Sequence, residues 1–418
     1  MSAAETIRQS NADWPLTMVS RENSLPFSPI ALPEYIEGKI SSEKLFLWDD
    51  RFVEKAGINL VLGKTVVSLR PNMKEIMMDD GSVLPYDQLL IASGASPVLP
   101  ENLVDLQGVF TLRNLADAEA IRCHFKKRVV VYGAGAVAIK VSVALRRVGV
   151  DVIVLCRSRV LRRQFDEDIC ELIHGLLAAN GVTLIQIREV PHIIGNPVER
   201  VRIGGKEFEC DGIVAALGVA PNTSFVDGQT IQLGPSGGVV TSDRMQTSSA
   251  DVYAAGDCAE TKDIISGKRS VAALWLPAVE QGRVAALNML GQEIAYRGAL
   301  SQNMIDVFDT PFASIGSLDG EKIGVQDGKT IRRFTLKNGK VIGAQLVGDI
   351  DDAGLISLGI RRGIEVTDLE HLKLLSRRYK SLPTAAMAVA RRPTSLRPSA
   401  SWAFSSRIWD TSRRNWKR

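Results

Sequence analysis

Residues 128–145, RVVVYGAGAVAIKVSVAL, combine an apolar run, a glycine-rich turn and the start of an apolar-periodic segment. Within this stretch Gly133, Gly135 and Ala138 have the G-x-G-x-x-A spacing. In a nucleotide-binding turn the first glycine permits a tight bend, the second lets a pyrophosphate approach, and the small third residue lets helix and strand pack. Because the apolar run DVIVLC follows at the right distance, the sequence predicts a βαβ unit with a phosphate at the helix N-terminus. The alternative is an incidental glycine turn.

The end of the DVIVLC strand indicates which nicotinamide cofactor binds. An acidic residue at this point would accept the ribose 2′-hydroxyl of NAD. The chain instead has Cys156, followed by Arg157, Ser158 and Arg159. Two guanidinium groups suit a 2′-phosphate, so the sequence favours NADP(H). The alternative is a solvated surface turn in a protein that uses NAD.

Composition excludes several classes of protein. A chain of 418 residues is too long for one core, which predicts two to four domains. No run of 18 apolar residues occurs, and the N-terminus lacks the features of a signal peptide, so we expect a cytoplasmic protein without a membrane span. Five cysteines without C-x-x-C and four scattered histidines predict reduced thiols and no metal site. Positive charge is concentrated after Arg391, so the main body gives no sign of nucleic-acid binding.

A second strong signal is the stretch SADVYAAGDCAE, in which a buried strand ends at Gly256-Asp257. A carboxylate at the carboxyl edge of a strand is placed to accept hydrogen bonds from a polyol. Taken alone, the same pattern fits a turn with a capping aspartate. Along the whole chain, strands and helices alternate, then give way to alternating strands and one helix, which predicts α/β units followed by an α+β domain.

Five motifs in a fixed order make the pattern specific: LLIASGASP, the glycine turn, IVAALGVAPN, VYAAGDCAE and LWLPAVEQGRVAALNM. This order resembles the FAD-dependent pyridine nucleotide–disulfide oxidoreductase superfamily, in particular its NADH oxidase, rubredoxin reductase and nitrite reductase flavodomain branch. The resemblance covers about residues 1–380. It implies an α/β fold with two Rossmann-like nucleotide-binding domains, one for FAD and one for NAD(P), and a C-terminal α+β interface domain. The expected boundaries are 1–111 and 227–297 for FAD binding, 112–226 for NAD(P) binding, 298–385 for the interface domain, and 386–418 for a basic, disordered tail.

The resemblance also implies roles for individual residues. Asp257, after Gly256, would hold the ribityl chain of FAD, and Val66 would present its backbone to the adenine. Gly94 and Gly218 would lie at the two crossings between domains. The helix from Pro277 would direct its positive end at the pyrimidine oxygen of the flavin.

The chain departs from the family at its start. In the family a strand and a G-x-G-x-x-G turn precede a helix that resembles SAAETIRQ, and Met1 falls inside that helix. Loss of this central strand would remove hydrogen bonds from both neighbours and leave an apolar slot. Two explanations stay open: a truncated record of a working flavoprotein, or a degenerate or partner-completed protein that holds FAD poorly alone. The Arg/Ser/Trp-rich end is similarly either a frameshifted read or a basic tail that docks an acidic partner.

Two further departures concern the redox site. The stretch FSPIALPEYIEG has Ile30 where the family's single-cysteine branch has its thiol, and no cysteine precedes Cys123. We therefore expect electrons to pass directly from flavin to acceptor. Some relatives pair a Lys near the flavin with a Glu on the nicotinamide-binding helix, and the similar positions here carry Glu34 and Lys140. An exchanged ion pair would orient the nicotinamide, whereas the alternative is two unrelated surface charges.

Three functions remain open at this point. In the first, hydride passes from nicotinamide C4 to flavin N5, and the electrons continue to an electron-transfer protein or iron–sulfur partner subunit, as in the similar flavin subunit of phenylglyoxylate dehydrogenase. In the second, the acceptor is oxygen, a quinone or a small molecule. In the third, the protein is a non-catalytic scaffold. The family also implies a homodimer formed through the C-terminal domain.

Overall fold

The computed structural model of the chain describes residues 1–10 and 14–365. The expected tail at 386–418 and the last part of the expected interface domain lie outside these residues. None of the described helices has both the length and the apolar character that a bilayer crossing requires. The predicted α/β fold class with two Rossmann-like units and a C-terminal α+β sheet is confirmed, while the domain boundaries stay predictions.

The first Rossmann-like unit is built from two separated stretches of chain. The first stretch contains α1 (Ser2–Ser10), β1 (Leu16–Ser20), α2 (Leu32–Glu37), α3 (Asp50–Lys55), β2 (Ile58–Leu62), β3 (Val66–Arg70), β4 (Glu75–Met78), β5 (Val83–Pro85), β6 (Leu89–Ile91) and β7 (Ala95–Pro97). Strands β3 to β5 form an antiparallel meander, with a turn at Gly81 that has φ +82°. This left-handed backbone suits glycine, as the Asp-Gly pair predicts.

The second Rossmann-like unit follows without interruption. Its elements are β8 (Val109–Phe110), α4 (Leu115–His124), β9 (Arg128–Tyr132), α5 (Ala136–Arg147), β10 (Asp151–Cys156), α6 (Glu167–Ala179), β11 (Val182–Gln186), β12 (His192–Ile194), β13 (Arg200–Ile203), β14 (Lys206–Glu209), β15 (Gly212–Ala215) and β16 (Val219–Pro221). The parallel sheet has the order β11-β10-β9-β15-β8. Helices α4, α5 and α6 cover one face of its central strands, where Val131 and Val154 are buried. The antiparallel strands β12–β14 cover the other face, where Tyr132 and Leu155 lie in the same cluster as Val201. Burial on both faces explains why β9 and β10 are continuous apolar runs.

The chain then returns to the first unit through β17 (Val239–Val240), β18 (Val252–Ala254), β19 (Ala259–Lys262), β20 (Arg269–Val271) and α7 (Trp275–Met289). Strand β18 pairs in parallel with β6, and β1 pairs in parallel with β2. These two pairs form separate sheets, and Leu16 of β1 and Leu90 of β6 both pack against α1. Helix α1 in turn packs on α7 through Ala3, Ile7 and Ala286.

The C-terminal sheet is antiparallel, in the order β21-β22-β25-β24-β23. Its elements are β21 (Gln302–Val307), β22 (Thr310–Gly316), β23 (Glu321–Asp327), β24 (Thr330–Lys337), β25 (Lys340–Val347) and α8 (Ala353–Arg362). One hydrophobic core joins this sheet to the second Rossmann-like unit and to α2, since Phe312, Leu145 and Ile36 belong to the same buried cluster. The second unit is therefore held against the C-terminal sheet by apolar packing.

Candidate active site

The glycine turn after β9 leaves open space in front of a helix N-terminus. Gly133 has φ +128°, and a Cβ there would lie 2.2 Å from the carbonyl oxygen of Ala216, so only glycine fits. Gly135 is the N-cap of α5, and a Cβ there would meet no heavy atom within 4 Å. Ala138 is fully buried in the first turn of α5. This arrangement fits a dinucleotide phosphate at the positive end of α5.

The arginine loop, residues 157–163, wraps beside this turn. The backbone N–H of Leu161 donates to the carbonyl oxygen of Ala134 at 2.9 Å, and the Leu161 side chain is buried. Arg157 and Arg159 are exposed on the same loop. Arg159 forms an ion pair with Glu167, the first residue of α6. Within the described part of the chain no such partner holds the Arg157 guanidinium.

A second site lies at the carboxyl end of β18. The N–H of Gly256, at φ +83°, donates to Oε1 of the fully buried Gln281 on α7 at 2.7 Å. Gln281 Nε2 in turn lies 3.2 Å from the Thr261 hydroxyl and 3.5 Å from the Tyr296 hydroxyl. Burial raises the pKa of Tyr296 to about 12, so this hydroxyl stays protonated. The turn that presents Asp257 is therefore bound to α7 by a buried network.

Helix α7 begins beside the same turn. It starts at Trp275, two residues before the predicted start, and Pro277 lies buried in its first turn. A Cβ at Gly256 would contact the Ala278 methyl group at 3.6 Å, so the positive end of α7 lies against the Gly256–Asp257 turn.

Arg113 is a functional candidate that the sequence analysis missed. Its Nη2 donates to Asp257 Oδ2 at 2.9 Å, and the Asp257 side chain is only 14% exposed. Its backbone N–H donates to Asp117 Oδ2 at 2.8 Å, which ties Arg113 to the start of α4. A Cβ at Gly94 would lie 3.3 Å from the Arg113 guanidinium, so Gly94 gives this side chain its room. The sequence signal that could have identified Arg113 is its position directly before Asn114, the N-cap residue of α4.

Glu22 was missed as well. It follows β1, the strand after α1, where a dinucleotide-binding unit has the acidic residue that accepts the ribose hydroxyl. Burial raises the pKa of Glu22, and the charges of Arg21 and Arg113 oppose that rise. The Arg113 guanidinium thus binds Asp257 directly and lies near enough to Glu22 to act on its charge, which fits an anionic group such as a dinucleotide diphosphate.

The remaining predicted residues lie in the segments that connect the units. The carbonyl oxygen of Gly94 accepts a hydrogen bond from Asn222 at 2.9 Å, and that of Gly218 accepts one from Val98 at 3.0 Å. Both glycines therefore lie beside the antiparallel pair formed by β7 and β16. Val66 lies in β3, opposite Met78 of the meander. The roles predicted for these residues stay predictions.

The exchanged ion pair between Glu34 and Lys140 is not formed. Lys140 Nζ donates instead to the carbonyl oxygen of Ile30 at 3.5 Å, and no Glu34–Lys140 contact within 4.0 Å occurs among the described ion pairs. Glu34 Oε2 is buried, with no hydrogen-bond partner among the described atoms. Helices α2 and α5 nevertheless pack together, which brings Lys140 beside Ile30.

Comparison with known proteins decides the family. The family model described as pyridine nucleotide-disulphide oxidoreductase matches residues 1–282. The chain belongs to this family. The CoA-dependent NAD(P)H sulfur oxidoreductase of Pyrococcus furiosus is 32% identical to it over 350 residues, which cover 81% of this chain and 78% of the relative. The NADH oxidase of Methanocaldococcus jannaschii is 29% identical, with 83% and 85% covered.

Other similarities extend over nearly the whole described chain. The epsilon subunit of NADH-dependent phenylglyoxylate dehydrogenase from Aromatoleum evansii is 29% identical, with 88% of this chain and 90% of the subunit covered. The structure of an NAD-dependent persulfide reductase from A. fulgidus matches with a TM-score of 0.80 at 25% identity, with 87% and 75% covered. An engineered water-forming NADPH oxidase bound to NADPH has the same fold, with a TM-score of 0.80 at 24% identity and 88% and 91% covered.

The predicted family and the predicted cofactors, FAD and NAD(P), are confirmed by these similarities. The chain is a flavin-dependent NAD(P)H oxidoreductase, which argues against the scaffold alternative. The residues present fit both groups: the open turn at Gly135 fits a nicotinamide dinucleotide, and Glu22, Arg113 and Asp257 fit FAD.

Proposed function

We propose that the protein exchanges electrons between NADP(H) and a protein electron carrier or an iron–sulfur partner subunit, through its flavin and without a redox-active cysteine. The proposal rests on the stretch FSPIALPEYIEG, whose resemblance to the family predicts Ile30 at the position of the thiol. Lys140 Nζ lies 3.5 Å from the carbonyl oxygen of Ile30. A branched aliphatic side chain neither accepts nor donates electrons. The acceptor must therefore take electrons from the flavin itself.

The remaining cysteines support the same interpretation. Cys258 follows Asp257 but is fully buried, and its Sγ lies 3.5 Å from the carbonyl oxygen of Ile91. Burial raises the pKa of the Cys258 thiol, and it raises those of Cys170 and Cys210 to about 11. Because the thiolate is the reactive form, these side chains are inert near neutral pH. Cys123 is exposed near the C-terminal end of α4, the end opposite Arg113.

Bound FAD and NADP(H) supply the redox chemistry, in which a hydride passes between the nicotinamide and the flavin. The chain's own residues hold these groups in place. Asp257, fixed by the Gly256–Gln281 hydrogen bond, would bind the ribityl hydroxyls, while the N-terminus of α7 places positive potential beside them. Lys140 and Glu34 would act near the nicotinamide as separate charges on α5 and α2, with Lys140 as the positioning cation.

The preference for NADP(H) rests on the arginine loop. Four arginines occur between positions 157 and 163, and the Leu161–Ala134 hydrogen bond holds this loop beside the glycine turn. The strand end has Cys156 in place of an acid that would repel a 2′-phosphate. The engineered NADPH oxidase similarly differs from its parent by substitutions that remove an aspartate and introduce two arginines.

A partner subunit is supported by the similarity to the epsilon subunit of phenylglyoxylate dehydrogenase, since the match covers 90% of that subunit. A second candidate, an NAD(P)H oxidase or quinone reductase, is favoured by the similarity to the archaeal NADH oxidase. The two functions differ in which acceptor reoxidises the flavin fastest.

The test is to reduce the FAD-loaded protein with NADPH and to compare ferredoxin-type and rubredoxin-type carriers with oxygen and a quinone. We expect a higher kcat/KM for an iron–sulfur protein, and the same rate after iodoacetamide treatment as before. A higher kcat/KM for oxygen or quinone would select the second candidate. Loss of activity on alkylation would contradict the cysteine-free route.

A further inference from the structure

The start of α6 carries three consecutive acidic residues, and their partners differ. Asp166 occupies the N-cap position of the helix and binds Gln345 of the C-terminal sheet through two hydrogen bonds, at 2.7 and 2.8 Å. Asp168 forms a bidentate pair with Arg333 of the same sheet, at 2.7 and 2.5 Å. Glu167, between them, contacts the arginine loop instead, through its ion pair with Arg159.

This ion pair and a 2′-phosphate would compete for one guanidinium. Arg159 is one of the two arginines expected to bind the phosphate, and the Glu167 carboxylate already neutralises its charge. The pair is accessible, since the two side chains are 49% and 65% exposed. An exposed pair of this kind contributes little energy, so a doubly charged phosphate can replace the carboxylate at a modest cost.

Arg157 has a different environment. It is exposed on the same loop, without a carboxylate partner in the described residues. The loop therefore offers one guanidinium that is ready for an anion and one that must first leave Glu167. Because Asp166 and Asp168 fix the start of α6 to the C-terminal sheet, loss of the Glu167 charge leaves the helix in position.

We propose that Glu167 is a specificity-determining residue: its carboxylate competes with the cofactor 2′-phosphate for Arg159 and so limits the preference for NADP(H) over NAD(H). This inference rests on the proposed NADP(H) preference. It assigns the two arginines different roles, with Arg157 available to any dinucleotide phosphate and Arg159 recruited only by the 2′-phosphate.

The experiment measures equilibrium binding of 2′,5′-ADP and 5′-ADP by calorimetry to the wild type, E167Q, R159Q, the double variant E167Q/R159Q, and the control E171Q. Glu171 is an exposed acid one turn further along α6, so E171Q removes the same charge without touching the loop. We expect E167Q to bind 2′,5′-ADP about two- to fivefold more tightly than the wild type, the factor that an exposed ion pair is worth. Binding of 5′-ADP stays unchanged in E167Q, and E171Q binds both fragments as the wild type does.

The double variant separates the mechanism from a general effect of charge. If Glu167 acts through Arg159, the gain from E167Q disappears in the R159Q background. An equal gain in that background, or an equal gain in E171Q, would overturn the inference. Wild-type affinity for 2′,5′-ADP in E167Q would also overturn it and leave the NADP(H) preference standing. A wild type that binds both fragments equally would instead remove the proposed cofactor preference, and the inference with it.

Discussion

The two glycines of the turn after β9 have different physical requirements. Gly133 combines a left-handed backbone with a contact that no Cβ can share, because the carbonyl oxygen of Ala216 would lie 2.2 Å away. Gly135 has φ −81°, which any residue adopts, and open space around it. The G-x-G-x-x-A spacing identifies both glycines without distinguishing them. The structure shows that the fold requires Gly133, whereas Gly135 leaves room for a ligand.

We therefore expect opposite outcomes for two alanine variants. G133A should lower the free energy of unfolding by about 1–3 kcal/mol, because a strained backbone and a clash are both introduced. G135A should change stability by less than about 0.5 kcal/mol, yet weaken NADPH binding, because its methyl group occupies the phosphate's place. Urea unfolding and NADPH titration measure the two effects. A stable G133A protein with normal cofactor binding would contradict this assignment.

Arg113 is predicted to contribute to FAD affinity. R113M removes the guanidinium that binds Asp257 and leaves the Asp257 carboxylate without its cation. We expect FAD binding to weaken about tenfold, the value of a partly exposed charge-assisted hydrogen bond. The FAD affinity is measured by flavin fluorescence during titration of the apoprotein with FAD. The control is R70M, which removes an exposed arginine paired with Glu75 on the β3–β5 meander. Unchanged FAD affinity in R113M would refute the role of Arg113 in FAD binding.

At the scale of elements, continuous apolar runs predict strands well, whereas the sequence does not predict the side-chain networks that join the elements. The run DVIVLC becomes β10 with the predicted bounds, because both faces of that strand are buried. Helix α7 begins earlier than predicted, since Leu274 at its N-cap position offers no capping side chain to recognise. The contacts of α7 with Gly256 and of α6 with Gln345 join residues far apart in the chain, so no rule based on residue spacing predicts them.

Substitution of Gln281 tests how α7 is held against the Gly256–Asp257 turn. Q281L removes the only side-chain acceptor described for the half-buried Gly256 N–H, and two buried hydrogen bonds to Thr261 and Tyr296. We expect a loss of about 1–3 kcal/mol in the free energy of unfolding, the cost of leaving buried polar groups without partners, together with weaker FAD binding. The control Q292L removes an exposed amide just after the same helix. Equal stabilities of Q281L and Q292L would contradict the buried network.

The pairing of α6 with the C-terminal sheet predicts an acid dependence. Hydrogen bonds from Arg333 hold the pKa of Asp168 below its ordinary value of 3.8. A carboxyl group with a lowered folded pKa stabilises the fold above its unfolded pKa, and this contribution disappears as pH falls through the folded pKa. We expect R333M to lower stability at pH 7 and to differ less from the wild type below pH 4. The control R200M removes an arginine of β13 that pairs with Glu207 of β14. A pH-independent effect of R333M would argue against the pairing of α6 with the C-terminal sheet.

At the scale of the whole molecule, the order of motifs along the chain is enough to predict the family, the fold class and both cofactors. The order of motifs does not, however, show where individual side chains point. The residues aligned with a known ion pair, Glu34 and Lys140, therefore fail to pair, and Lys140 binds the carbonyl oxygen of Ile30. Arg113 and Asp257 meet although 144 positions separate them, because the chain leaves the first Rossmann-like unit and returns to it. Such contacts depend on the fold as a whole.

An anaerobic reductive titration tests the cysteine-free route most directly. FAD-loaded protein receives NADPH in small steps while the visible flavin absorbance is followed. With Ile30 in place of a thiol, the flavin is the only redox group, so one equivalent of NADPH per flavin should complete the bleaching. A requirement for a second equivalent, or a thiol titre that rises as the flavin is reduced, would show a second two-electron group and contradict the account.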